Sequence, residues 1–227
     1  QYADATNYDL IRAIAGRLEV RPDNIIIGEG IDGLLGYLVR LLVAPGDPVV
    51  TSDGAYPTFN YHVVGFGGTL HKVPFHKDHE DIDALMAKAA EVEAKLVYLS
   101  NPDNPMGSWH SGAKIEKALD ALPDGTLLLL DEAYIEFAPE GTAPNIDADD
   151  PRVIRMRTFS KAMGMAGARL GYSICAPALI NILDKMRHPS GTPPISTAGS
   201  PDPLTPTARL FTVHTRGRTA PFRLSSS

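Results

Sequence analysis

Apolar residues along this chain alternate between two rhythms, short unbroken runs and longer stretches at helical spacing. Asn7 to Leu18 carries Leu10, Ile11, Ile14 and Leu18 at helical intervals. Ile25-Ile26-Ile27 is a buried-strand run closed by Gly28, and Ile31 to Val43 reads as a strongly apolar helix stopped by Pro45-Gly46-Asp47. Further strands are expected at Val49–Ser52, Thr69–Val73, Leu96–Ser100, Thr126–Leu130, Val153–Thr158 and Leu170–Cys175. Helices are expected at Pro57–Val64, Ile82–Ala94, Ile115–Leu122 and Pro177–Met186. This order predicts an α/β domain over residues 1–189, a mainly parallel sheet between two helical layers, with no internal repeat. From Ser190 the rhythm is lost: Pro, Thr, Ser and Arg dominate and Asp202 is the only acid. Residues 190–227 are therefore expected to form a disordered or non-native tail, such as an out-of-frame end.

Composition narrows the classes. The chain has 21 basic and 27 acidic residues, a net charge of −6 and no basic block, which disfavours nucleic-acid binding. No apolar run is long enough for a membrane span. Cys175 is the single cysteine, so no internal disulfide forms and a reducing, cytoplasmic setting is expected. The N-terminus has neither the charged nor the apolar part of a signal peptide. It also lacks an initiator Met, as expected of a chain whose front is missing.

Four segments carry candidate chemistry. Gly28-Glu29-Gly30-Ile31-Asp32-Gly33 fits G-x-G-x-x-G between a strand and a helix, and Asp53 sits where a dinucleotide fold keeps its ribose-binding acid. A tight turn that needs glycine satisfies the same pattern. Either way, amides at a helix N-terminus attract phosphate whichever molecule carries it. Ser100-Asn101-Pro102-Asp103-Asn104-Pro105-Met106-Gly107 predicts a rigid loop at a strand's C-terminal end, where open α/β sheets bind ligands. Asn104 is a candidate donor to a ligand oxygen there; an Asx turn without ligand is the plainer reading. In Leu127-Leu128-Leu129-Leu130-Asp131-Glu132-Ala133-Tyr134, four leucines deliver Asp131 to the end of a buried strand, where an unpaired carboxylate is costly. A protonated pyridine nitrogen would pair with it, and capping of a following helix is the alternative. Magnesium binding of the Walker-B kind lacks its accompanying phosphate loop.

The fourth segment is Arg157-Thr158-Phe159-Ser160-Lys161-Ala162-Met163-Gly164-Met165-Ala166-Gly167-Ala168-Arg169-Leu170-Gly171-Tyr172. Lys161, with no acid nearby in sequence, reads as an amine kept for a carbonyl, which requires a neutral form promoted by a desolvated or cation-rich pocket. Ser160, Thr158 and Arg169 are candidates to hold a phosphate beside it. Amine, phosphate site and buried acid together suggest pyridoxal 5'-phosphate (PLP). A nicotinamide dinucleotide would leave Lys161 and Asp131 without a purpose. His71, His76 and His79, near Asp78 and Asp81, match no strong ligand spacing, so no metal site is expected. Trp109 and Tyr61 read as packing residues, and Asp147-Ala148-Asp149-Asp150 as a solvated turn.

Taken in order, GEGIDG, GAYPTF, NPDNPMG, DEAYIEF and RTFSKAMGMAGARLGY resemble the motif series of fold type I PLP-dependent aminotransferases, in the class II branch that includes the histidinol-phosphate aminotransferases. The resemblance runs from about Tyr2 to Arg187. It implies that Lys161 forms the internal aldimine and moves a proton between the substrate's α-carbon and the cofactor. It also implies that Asp131 pairs with the pyridine nitrogen, and that Asn104 and Tyr134 bond the ring's phenolic oxygen. Tyr56 corresponds to the ring-stacking aromatic; the backbone of Ile31 and Asp32, with Ser160 and Arg169, corresponds to the phosphate cup. Tyr2 corresponds to a tyrosine reaching the neighbouring subunit's phosphate, which implies a homodimer. The implied substrates are an amino acid or amino-alcohol phosphate, histidinol phosphate by the branch, and a 2-oxo acid. Two departures stand out: Asp103 and Met106 replace the commoner Asn and Thr of N-P-N-N-P-T-G, and nothing after Ser190 resembles the small C-terminal domain that holds the substrate carboxylate. Threonine-phosphate decarboxylation, which uses the same motifs, transamination of another amino acid or aromatic substrate, and an inactive PLP-binding fragment are the alternative expectations.

Overall fold

The structure is a computed structural model that describes residues 7–186, 195–197, 210–215 and 218–223. Seven strands form one sheet: β1 (Ile25–Gly28), β2 (Pro48–Asp53), β3 (Thr69–Pro74), β4 (Leu96–Ser100), β5 (Leu127–Asp131), β6 (Val153–Thr158) and β7 (Gly171–Ile174), in the spatial order β1-β7-β6-β5-β4-β2-β3. β3, β2, β4, β5 and β6 pair in parallel, as expected. β7 runs antiparallel to both β6 and β1, so the sheet is mixed. The reason is local: β7 follows β6 after the lysine segment alone, with no crossover helix to bring the chain back, and such a return can only be antiparallel.

The helices are α1 (Tyr8–Leu18), α2 (Gly30–Leu42), α3 (Pro57–Gly65), α4 (Ile82–Val92), α5 (Gly112–Ala118) and α6 (Pro177–Met186). Helix α5 starts three residues before the sequence pattern suggested, because Ser111 caps it by accepting from the Lys114 amide. Its expected last turn, Leu119–Ala121, tightens to a 3-10 turn. The alternation of strand side chains distributes the core over both faces of the sheet. Ile26, Val49, Leu96, Leu129 and Ile154 pack against Leu34, Leu35 and Leu38 of α2. Val50, Val97, Leu99, Leu128 and Leu130 pack against Ile82, Leu85 and Ala89 of α4 and Ile115 of α5. A third cluster joins Leu10 and Ile14 of α1 to Ile25, Ile27, Tyr172 and Ile174. The result is the anticipated three-layer arrangement.

Within the tail, Ile195–Thr197 (β8), Leu210–Thr215 (β9) and Arg218–Arg223 (β10) form a separate antiparallel sheet, although Pro- and Thr-rich composition gave no strand rhythm there. No helix among the described residues is long and apolar enough to cross a membrane.

Candidate active site

Three neighbouring parallel strands end side by side, β4 at Ser100, β5 at Asp131 and β6 at Thr158, with Ser100 opposite Asp131 and Asp131 opposite Met156 in register. The loops that leave these ends and the N-terminus of α2 enclose one pocket. It is lined by Gly30, Ile31, Asp32, Tyr56, Ser100, Asn104, Asp131, Ala133, Tyr134, Thr158, Ser160, Lys161 and Arg169. Ten of the eleven residues singled out from sequence meet here; Tyr2, the eleventh, lies outside the described residues.

Asp131 sits at the pocket floor, almost wholly buried. Its Oδ2 accepts from the Tyr98 hydroxyl at 2.7 Å and its Oδ1 from the Ala133 amide at 2.9 Å. Both donors are neutral. Burial therefore dominates and pushes the carboxyl up to about 6, the Tyr98 and Ala133 bonds pulling the other way. Tyr98 is itself fixed by stacking on Phe59, ring centroids 4.6 Å apart. A buried acid supported this way suits a ligand group that brings its own proton or positive charge.

At the other end of the pocket the features favour an anion. Helix α2 opens at Gly30 with no side-chain cap, leaving its first-turn amides directed at the pocket mouth. Arg169 lies across this turn, its Nη2 3.4 Å from the Glu29 carbonyl and 3.9 Å from Asp32 Oδ2. Its backbone adopts a left-handed conformation at φ 49°, which costs a non-glycine residue about 1 kcal/mol. Gly30, at φ +79°, makes room for it: a Cβ there would stand 2.9 Å from Nη2. The Thr158 hydroxyl is engaged within the lysine loop, donating to the Leu170 carbonyl and accepting from the Ser160 amide, both at 3.1 Å. Ser160 and Arg169 are left as the side chains for an anion.

Lys161 stands between these ends, with Nζ 5.1 Å from the Tyr134 ring centroid. Contrary to the sequence expectation of a desolvated amine, the side chain is exposed, and its hydrogen bond to Tyr134 raises its pKa. The π-face of Tyr134 favours the ammonium in the same direction. The loop before Asn104 is braced by Asp103, whose Oδ2 accepts from the Met106 amide at 3.0 Å while its own amide donates to the Ser108 carbonyl at 2.8 Å. Both X-Pro bonds of this loop, Asn101–Pro102 and Asn104–Pro105, are cis.

The family profile described as aminotransferase class I and II matches residues 1–204. The chain belongs to that family. Among curated aminotransferases it is 40% identical over 197 residues to histidinol-phosphate aminotransferase of Anaeromyxobacter sp. (strain Fw109-5), covering 84% of this chain and 53% of that protein. It is 35% identical over 192 residues to the Moorella thermoacetica enzyme of the same name, covering 83% of this chain and 50% of the relative. The crystal structure of histidinol-phosphate aminotransferase from Sinorhizobium meliloti in complex with pyridoxal-5'-phosphate superposes with a TM-score of 0.82 at 54% identity, covering 85% of this chain and 53% of that one. The chain thus spans about half the length of the aminotransferases it matches.

Several groups that build the pocket carry no distinct signal in the sequence. Tyr98 and Ser100 were legible only as positions of the Leu96–Ser100 strand, and Ala133 only as a member of the segment that carries Asp131. Glu132, next to Asp131, points to the opposite face of the sheet, where it is fully buried between Arg155 and Arg157, each at 2.8 Å. The period-two arginines of Val-Ile-Arg-Met-Arg-Thr carried that signal. Tyr61 and Trp109, read as packing residues, are largely exposed, at 73% and 42%. The 147–150 turn is less free than expected: Asp149 pairs with Arg21 and Asp150 with Arg152, each at 2.7 Å.

Proposed function

We propose that the pocket binds PLP and that the whole protein transfers an amino group from histidinol phosphate to 2-oxoglutarate, giving imidazole acetol phosphate and glutamate, a step of histidine biosynthesis. The observation that carries the cofactor assignment is Asp131, a buried carboxyl with two neutral donors, facing across one pocket an uncapped helix start flanked by Arg169. The names of the relatives support the substrate assignment.

When bound, PLP supplies an electron sink for the charge that develops at the substrate's α-carbon. In this reading Asp131 holds the proton on the ring nitrogen, and Asn104 and Tyr134 donate to the ring oxygen. The α2 amides at Ile31 and Asp32, with Ser160 and Arg169, hold the phosphate, and Tyr56 supplies an aromatic face. Lys161 would hold the cofactor through its amine, and the same amine would move the proton at the substrate's α-carbon. Tyr134, whose ring centroid lies 5.1 Å from Nζ, would orient the amine for both tasks. The resemblance matches Tyr2, which lies outside the described residues, to a tyrosine that serves a neighbouring copy, and on that ground the proposed working unit is a homodimer in the cytoplasm. Purified chain mixed with PLP is expected to develop the visible absorption band of lysine-linked cofactor, and Lys161→Ala to lose it. An unchanged band in Lys161→Ala contradicts the reading. For the whole protein, release of glutamate from histidinol phosphate and 2-oxoglutarate, rather than of carbon dioxide, is the expected outcome.

A further inference from the structure

The loop that brings Asn104 to the pocket is closed at its neck by one side chain. Residues 101–110 leave the end of β4 and return to Ser111, the cap of α5, without forming a helix or strand. Asn101, at the start of the loop, is buried, with 1% exposure. Its Oδ1 accepts from the His110 amide at 2.8 Å, and its Nδ2 donates to the His110 carbonyl at 3.1 Å. Side chain and main chain thus exchange a donor and an acceptor, as paired residues of antiparallel strands do. Nδ2 also donates to the Thr142 carbonyl at 3.4 Å. The main-chain amide of Asn101 donates to the Asp131 carbonyl at 2.8 Å. One residue therefore joins the end of β5, the return of the loop and the turn that ends at Thr142.

The surroundings suit an amide and nothing else of that size. The partners of the side chain are one N–H and two carbonyls, which fixes the orientation of the amide and uses both its acceptor and its donors. A carboxylate would face the two carbonyl oxygens with no hydrogen to offer. An apolar residue would leave the main-chain groups of His110 without these bonds, at a cost that burial makes larger. Ties inside the loop set its shape rather than its direction: the Asp103 amide donates to the Ser108 carbonyl at 2.8 Å, and the Gly107 amide to the Asp103 carbonyl at 3.0 Å. Beyond the neck His110 is anchored to the body of the protein, its Nε2 2.7 Å from the Glu80 main-chain carbonyl. With His110 fixed there and Asn101 fixed to β5, the bonds between them set how the loop stands over the strand ends.

We propose that Asn101 is a positioning residue, whose side chain closes the neck of the 101–110 loop so that Asn104 stands at the pocket wall. Asn101 does not itself line the pocket, and its effect on a ligand passes through the residue it places there. The role of Asn104 rests on the PLP reading, but the neck itself does not.

A residue that acts through another leaves a signature in the double variant. Asn104→Ala should weaken PLP binding by about two- to tenfold, the worth of one neutral hydrogen bond. Asn101→Ala should bring a loss of the same size, and Asn101→Ala combined with Asn104→Ala should bind no more weakly than Asn104→Ala alone. Losses that multiply in the double variant, or an unchanged affinity in Asn101→Ala, overturn the proposal. Trp109, the only tryptophan, precedes His110, is 42% exposed and reports on the neck without any cofactor. Asn101→Ala should make its emission more open to quenching by acrylamide, and Asn104→Ala should leave the quenching as in the wild type. Equal quenching in Asn101→Ala and the wild type also overturns the proposal. If Asn101→Ala does not fold, Asn101→Asp takes its place: the protonated acid keeps one donor and one acceptor, whereas the carboxylate keeps no donor. Its quenching should match the wild type at low pH and rise as the carboxyl ionises, over a range in which the wild type stays flat; a flat profile in Asn101→Asp overturns the proposal. If Asn104→Ala binds PLP as the wild type does, or no chain binds it, the cofactor reading fails instead, and the quenching decides the neck.

Discussion

At the scale of single residues, the site is organised by carboxyls kept from water. Asp131 rises from 3.8 to about 6 because burial outweighs its two hydrogen bonds. A group whose folded value lies above its ordinary one contributes stability that is complete below the ordinary value and is lost as pH rises through the folded value. For Asp131 that window runs from 3.8 to about 6. At about 1.4 kcal/mol per unit, the loss is on the order of 3 kcal/mol by neutral pH. Asp131→Asn should therefore flatten this part of the pH profile and make the cofactor-free chain more stable at neutral pH, as read by urea unfolding. The same variant should bind PLP at least about tenfold more weakly, because a neutral amide forgoes a charge-assisted bond to the ring nitrogen. An Asp131→Asn chain that is less stable at neutral pH, or that binds PLP as the wild type does, would contradict this account. On the proposed function, the aspartate is retained at the expense of the empty protein's stability.

At the scale of elements, the anion-favouring end of the pocket depends on how closely β7 approaches the start of α2. A Cβ on Gly171 would lie 2.8 Å from the Gly30 carbonyl carbon and 3.0 Å from the Ile31 amide nitrogen. These are backbone atoms and cannot swing aside. Gly171→Ala should destabilise the chain by about 1–3 kcal/mol and weaken binding of PLP through displacement of the α2 amides. Gly16 is the contrast: it lies inside α1, and a Cβ there meets nothing within 4 Å. Gly16→Ala should stabilise by about 0.5–1 kcal/mol, since the helix interior gains a residue of better propensity. Thermal unfolding of the two variants checks both signs. The helices and strands themselves were largely legible, because Ile31–Val43 and Ile82–Ala94 carry strong periodicity and Pro45-Gly46 stops the first of them. The direction of β7 was not, since an apolar run such as Leu170–Cys175 reads the same whichever way its neighbours run.

At the scale of the whole molecule, one sheet covered on both faces holds the pocket rigid from behind. Leu38 of α2 is completely buried against that sheet, in the same cluster as Tyr98 and Phe59, the pair that supports Asp131. Leu38→Ala should cost about 2–5 kcal/mol, read as a lowered urea midpoint. Ile182 of α6 is 47% exposed, and its substitution by Ala should change stability by no more than about 0.5 kcal/mol. Equal losses at the two positions would mean that the α2 layer does not anchor the sheet as described.

The sequence alone determined the layered α/β order, the four segments of chemistry and ten residues of one pocket, because periodicity, Gly and Pro punctuation and spacing are local properties. It also carried the resemblance to the aminotransferases, through the order of its motifs. Only the tertiary structure decided what those residues meet. Tyr98 comes to Asp131 across two strands, Gly171 makes way for the α2 turn, and Lys161 rests over Tyr134 in an exposed position rather than a desolvated one. It also brought Glu80 to the ends of β2 and β4, where it accepts from the Ser52 hydroxyl and the Ser100 amide. Burial and the approach of distant segments decide such contacts, and a sequence displays neither.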